Sequence, residues 1–131
     1  MDWDIDVLQQ KQRAGADYAV TQIFYDNEPY LRFVKACRDH GVTIPIVPGL
    51  KILTRKEQLG VIPKIFGVDV PPALAEQVLA SEPEDVLEVG TRWALDQALG
   101  LIEAGVPSLH FYVMQNTRPF VTLMERLRPQ L

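Results

Sequence analysis

The chemistry open to this chain rests on amides more than on acids, bases or nucleophiles. In AGADYAVTQIFYD (residues 14–26), Gln22 stands where an otherwise apolar strand should end, just ahead of Phe24 and Tyr25. A primary amide offers two donors and an acceptor, and an unpaired one in a core costs about 1–3 kcal/mol. Gln22 therefore either ties down a neighbouring loop or offers hydrogen bonds to a polar ligand. Other chemistry is thin. His40 and His110 lie far apart without cysteines at ligand spacing, so no metal site follows. Ser81 and Ser108 have no paired His and Asp around them to activate a hydroxyl. Cys37, the single cysteine, excludes a disulfide within the chain, and its setting in YLRFVKAC marks it as a small core residue.

Positioning such residues takes a scaffold, and a weak internal repeat supplies its plan. RAGADYAVTQIF, DHGVTIPIVPGL and EAGVPSLHFYVM each leave a helix, pass a glycine (Gly15, Gly41, Gly105) and enter a short apolar run. Glycine just past a helix takes the left-handed conformation that closes the last turn. The runs YAVTQIF, TIPIVPGL and SLHFYVM are short and rich in β-branched and aromatic residues, which predicts buried strands. Between them the period becomes helical. Tyr30, Phe33, Val34 and Cys37 share one face, with Asp26 or Asn27 as N-cap and Pro29 in the first turn. Val86, Val89, Trp93, Ala94 and Leu101 form a second stripe, with Trp3 and Trp93 as packing residues. TRKEQLGVIPKI and PPALAEQVLASE predict two shorter helices divided near residues 68–72, and a last helix is expected from Thr117 to Leu127. Strands alternating with helices mean βαβ units and a parallel sheet. No glycine-rich phosphate loop follows any strand, which argues against a dinucleotide-binding Rossmann unit. At the C-terminal strand ends, where such folds build their sites, stand Gln22, Pro48-Gly49 and the stretch from Tyr112 to Gln115.

Composition narrows the class. The chain has 131 residues, enough for a single domain, with 47% hydrophobic and 23% charged residues. A net charge of −4 without runs of lysine or arginine argues against a nucleic-acid face or a polybasic membrane anchor. No apolar run approaches the ~20 residues of a membrane span. The start, MDWDIDVLQQ, is acidic where a signal peptide is basic, so a cytoplasmic protein is expected.

Three blocks carry a resemblance: LQQKQRAGADYAVTQIFYDNEPYLRF, IPIVPGLKILTRKEQLGVIPKIF and GLIEAGVPSLHFYVMQNTR. In wording and order, from about Asp4 to Arg118, the sequence resembles the methylenetetrahydrofolate reductase family. The resemblance implies a (β/α)8 barrel that binds FAD. It also implies hydride transfer from NADH or NADPH, through the flavin, to 5,10-methylenetetrahydrofolate, giving 5-methyltetrahydrofolate. Residues 1–131 are then expected to form one domain holding the last three βα units, since a complete barrel takes about 250 residues.

Site residues carry over by position. Gln22 matches a glutamine that meets the folate pterin where the nicotinamide cofactor binds in its turn. Gln58, in KEQL, matches one that hydrogen-bonds the folate's glutamate portion. Ile62 falls where some members place an aromatic on the bound substrates, and an aliphatic offers apolar contact without the same stacking. Arg118 is the nearest basic residue to an arginine that meets the glutamate carboxylates, although FYVMQNTR runs about two residues longer than the family's pattern. Lys11 matches a lysine near the FAD phosphates, and Asp4 an acidic FAD contact.

The family's proton-donating acid, the aspartate near the flavin and most FAD loops belong to strands that precede these blocks. No catalytic acid is therefore expected here, and the chain should be inactive alone. The competing reading is a non-catalytic βα module that completes a barrel with another chain. Either way, homo-oligomerisation or pairing with a missing barrel half is expected.

Overall fold

Gly15, Gly41 and Gly105 take positive φ of 99°, 82° and 84°, so the repeated glycine does close three helices. Each is followed by a strand in the computed structural model, which describes residues 2–113 and 116–131, with backbone only for residues 2 and 3. The reading of Trp3, and of residues 114 and 115 at the last strand end, lies outside what is described. The order is α1 (Asp2–Arg13), β1 (Ala19–Ile23), α2 (Asn27–Asp39), β2 (Ile46–Leu50), α3 (Gln58–Phe66), α4 (Pro72–Ala80), α5 (Val86–Glu103), β3 (His110–Phe111) and α6 (Arg118–Leu127). The strands pair in parallel, in the order β1-β2-β3. This is an α/β architecture of three parallel strands with flanking helices.

One face of the sheet is covered by helices. Ile46 and Leu50 of β2 are buried with Tyr30 and Cys37 of α2, Leu101 of α5 and Leu127 of α6, and Ala19 and Phe111 pack against that cluster. Tyr30 adds a polar tie, its hydroxyl donating to the Ile46 carbonyl at 2.6 Å. Cys37 is fully buried, as its stripe predicts, and desolvation raises its thiol pKa, so it is packing rather than a nucleophile. Side chains alternate along a strand, so the other face carries Val20 beside Val47 and Gly49 beside His110. Val20 and His110 are exposed there.

A second cluster lies beyond the C-terminal strand ends. Ile23 at the end of β1, Tyr25 just after it and Leu53 after β2 meet Ile62 of α3, Leu74 and Val78 of α4, and Val86 and Val89 of α5. Of the capping residue types at helix N-termini, Asp26 makes a side-chain cap bond, while Asp85 before α5 and Thr117 before α6 do not. Asp26 caps α2, its Oδ1 accepting from the Glu28 N–H at 3.0 Å. Helix α3 tolerates Pro63 and ends at Gly67, whose N–H donates to the Pro63 carbonyl. At the front, α1 is clasped by an amide: Gln12 Nε2 donates to the Gly41 carbonyl, while its Oε1 accepts from the Thr43 and Ile44 N–H groups.

The last strand is shorter than SLHFYVM suggests. Pro48 offers no N–H for a ladder bond. Beyond Phe111, the Tyr112 N–H still donates to the Leu50 carbonyl at 2.8 Å, but β2 ends there. Helix α5 also buries more than its predicted stripe: Gly90, Thr91 and Gln97 are all inside. Gly90 is required by contact, since a Cβ there would lie 1.7 Å from the Leu53 carbonyl oxygen.

Candidate functional site

The three strands meet at their C-terminal ends through side chains as well as through the ladder. The register slips between Val20 and Ile23, where β1 carries an extra residue relative to β2. Within that bulge the Gly49 N–H donates to Thr21 Oγ1 at 2.9 Å. The Thr21 carbonyl accepts from the Tyr112 hydroxyl at 3.0 Å. Tyr112 crosses Gly49 to get there: a Cβ at residue 49 would lie 2.7 Å from its ring and 2.6 Å from the Thr21 oxygen. His110 meets the same ring edge-on, with centroids 4.5 Å apart. Thr21, Gly49 and Tyr112 thus lock the three strand ends beside Gln22. Sequence reading singled out the Pro48-Gly49 and Tyr112 positions only as strand ends and missed Thr21.

Gln22 itself is exposed, and the bulge aims its amide outward. Its Oε1 accepts from the neighbouring Ile23 N–H at 3.2 Å. Among the described residues its Nε2 has no acceptor, so it presents donors. Asp4 and Lys11 of α1 line the same shallow groove along the free edge of β1, about 420 Å³ in volume. Three of the predicted positions are therefore brought together: Gln22, Asp4 and Lys11.

Gln58 and Ile62 lie in a different place, a larger cleft of about 710 Å³ between α3, the segment after β2 and the segment after β3. Gln58 is fixed by the turn before its own helix. Its Oε1 accepts from the Thr54 N–H at 2.6 Å, from the Arg55 N–H at 3.2 Å and from the Thr54 hydroxyl. Because those partners include two backbone donors, the oxygen must point at them and the NH2 group faces the cleft. Ile62 is only 2% exposed and belongs to the second core cluster, so it forms the floor of the cleft rather than a free contact surface. Val61, Ile65 and Phe120 build apolar walls, and Tyr112 closes the side toward the sheet. Lys51, half-buried, also lines the cleft, and desolvation, then the nearby Arg55 guanidinium, hold its ammonium below the ordinary lysine range.

Arg118 is placed less centrally. It is exposed at the first turn of α6, its backbone N–H bonded to Asn116 Oδ1 at 3.1 Å. Asn116 and Pro119 line the cleft and Arg118 does not. A cation at a helix N-terminus opposes the helix dipole, so nothing local favours this position. Among the described residues no group of three or more His, Cys, Asp or Glu side chains could hold a metal ion, and no helix is long and apolar enough to cross a membrane.

Comparison with known proteins gives a consistent answer. The family description "Methylenetetrahydrofolate reductase" matches residues 1–128. "5,10-methylenetetrahydrofolate reductase" of Pectobacterium carotovorum is 35% identical over 113 residues, 85% of this chain and 38% of that protein. "Methylenetetrahydrofolate reductase (NADH) 1" of Arabidopsis thaliana is 31% identical over 129 residues, 95% of this chain and 21% of that one. "Probable methylenetetrahydrofolate reductase (NADPH)" of Caenorhabditis elegans is 31% identical over 114 residues, 85% of this chain and 17% of that one. The chain spans between 17% and 38% of the length of these relatives.

Proposed function

Because this chain belongs to the methylenetetrahydrofolate reductase family, we propose that it supplies the folate-facing wall of such an enzyme, as the last three βα units of a (β/α)8 barrel. The complete reaction in this reading is the reduction of 5,10-methylenetetrahydrofolate to 5-methyltetrahydrofolate. Relatives carry NADH in one name and NADPH in another, and either is the reductant proposed here. The one-sided sheet supports the barrel reading: helices cover one face, while Val20 and His110 on the other are exposed, as inward residues of an incomplete barrel would be.

The observation that carries the folate reading is the pair of glutamine amides whose oxygens are held and whose NH2 groups are left over, Gln22 at the strand end and Gln58 in the cleft. In this reading Gln22 donates to the pterin and Gln58 to the glutamate portion. Ile62 floors the cleft, and Arg118 meets a carboxylate from the rim. FAD, when bound, would relay hydride between nicotinamide and folate. Lys11 and Asp4 fit one margin of it: a single ammonium suits a phosphate, and both line the groove beside Gln22. Two such contacts do not make a flavin site, so weak FAD binding and no turnover are expected of the chain by itself. The compartment proposed is the cytoplasm.

The test is an NMR titration of the chain with 5-methyltetrahydrofolate, following the side-chain amides of Gln22 and Gln58. Both should shift together. Signals that stay fixed at millimolar ligand would remove the folate reading, and micromolar FAD binding by fluorescence would remove the partial-site account.

A second reading, a binding module that completes a barrel with another chain, is favoured by the sheet's outer strands. Among the described residues β1 and β3 each pair on one side only, and unpaired edges invite further strands. Sedimentation at several concentrations should show self-association or exchange. A strictly monomeric species at high micromolar concentration would contradict pairing along these edges.

A further inference from the structure

The cleft beyond β2 carries two cations that the fold does not use. Lys51 and Arg55 both line it, and among the described residues neither forms an ion pair with a carboxylate. Glu57, on the same lining, pairs with neither. The cations are close enough for the guanidinium to disfavour the ammonium, and burial adds to that cost. Lys51 is partly withdrawn from water beside the like charge of the exposed Arg55, an arrangement that an anion between them would relieve. The nearby amide points the same way, because Gln58 has spent its oxygen on Thr54 and Arg55 and turns only donors to the cleft. Along the same face of α3 from Gln58, Val61 and Ile65, 45% and 67% exposed, add large apolar side chains to the lining.

We propose that Lys51 and Arg55 bind a carboxylate jointly at the polar end of this cleft, making it a site for an anionic tail attached to an apolar or aromatic body. The proposal rests on the folate reading only for the identity of that body. In folate terms the pair adds a carboxylate contact beyond those assigned to Gln58 and Arg118, and favours substrates with more than one tail carboxylate. A carboxylate between an ammonium and a guanidinium accepts charge-assisted hydrogen bonds from both, the stronger class of such bonds.

Two probes separate the ideas: p-aminobenzoylglutamate, which carries the aromatic body, and glutarate, which does not. Each is titrated into the full chain while the Lys51 side-chain and Arg55 Nε signals are followed by NMR. Both probes should move both signals, and Lys51→Gln should weaken each by about tenfold or more, with Lys51→Arg restoring most of the loss. Equal affinity of wild type and Lys51→Gln, no binding of either probe, or binding that moves Gln58 but leaves Lys51 and Arg55 still, overturns the proposal; the last outcome leaves the folate reading intact. Glutarate acting at Lys51 and Arg55 with p-aminobenzoylglutamate no tighter supports the anion pair and counts against folate as the body. An unchanged amide spectrum for Lys51→Gln confirms that the variant folds.

Discussion

On the helix-covered face of the sheet the buried tyrosine hydroxyl is answered by the fold itself, whereas at the strand ends several polar groups are not. Tyr30 enters the helix-covered core and its hydroxyl is bound at once by Ile46. At the strand ends the amides of Gln22 and Gln58 keep donors in reserve, and Lys51 and Arg55 have no carboxylate partner among the described residues. One region is closed by its own hydrogen bonds and the other is left open. That is the physical difference between a surface that maintains the fold and one that can receive a ligand, since spare donors and unpaired cations are free to bond a partner's acceptors.

Substitutions should separate the two regions cleanly, beginning with the largest effect. Leu101 is fully buried against the covered face, and Leu101→Ala should cost about 2–5 kcal/mol in urea unfolding. Ligand affinity of the surviving folded fraction should stay unchanged. Gly90→Ala presses a methyl toward the Leu53 carbonyl, where the contact would be 1.7 Å. Overpacking of this kind costs about 1–3 kcal/mol, and here it should also widen the cleft that follows Leu53, so stability and binding fall together. An effect on stability alone would show that the two regions are less coupled than this contact implies.

Tyr25 tests the boundary by pH. Its side chain is 2% exposed, its hydroxyl has no partner among the described residues, and burial drives its pKa well above the usual phenol value. Below the unfolded tyrosine's pKa of about 10, folded and unfolded states hold the same proton. Above it the unfolded chain ionises and the folded one does not, so stability falls by about 1.4 kcal/mol per pH unit from this residue. Tyr25→Phe should remove that share of the alkaline slope, at little or no cost near neutrality. An unchanged slope in denaturation between pH 9 and 11 would refute the burial argument.

Smaller effects belong to the open region. Tyr112→Phe removes the hydroxyl from the Thr21 carbonyl and should cost about 0.5–1.5 kcal/mol, with loss of the distinct Gln22 amide signal as the β1 bulge loosens. Gln22→Ala should change stability by less than about 0.5 kcal/mol, while weakening 5-methyltetrahydrofolate binding. A larger stability loss would return Gln22 to a purely structural role.

Much of the scaffold was legible in the chain. The three glycines fixed where helices close, apolar runs marked the strands, and the stripe through Tyr30 and Cys37 gave the buried face of α2. The division between α3 and α4 fell at residues 67–71, close to the stretch expected. What escaped were contacts between distant segments. Gly90 in a helical stripe carries no local sign that the Leu53 carbonyl will press on it. Gln97 looks like an exposed helix amide, yet it is buried and donates to the Phe24 carbonyl at 3.1 Å. Of the site, Gln22 was visible because an amide at the end of an apolar strand is out of place. The tie from Tyr112 to Thr21 was not, because it joins side chain to backbone across 91 positions. Lys51 was hidden for a related reason: one lysine after a strand end is ordinary until the cleft shows Arg55 beside it.

The clasp by Gln12 has a kinetic consequence. Its amide behaves as a stray peptide group, accepting from the Thr43 and Ile44 N–H groups and donating to the Gly41 carbonyl. Those two amides lie ahead of β2 and would exchange freely with solvent if they depended on the sheet alone. Their exchange instead reports whether helix α1 is seated. Hydrogen–deuterium exchange at residues 43 and 44 should therefore follow the undocking of residues 2–13, and Gln12→Ala should release both amides at once while those inside β2 remain slow.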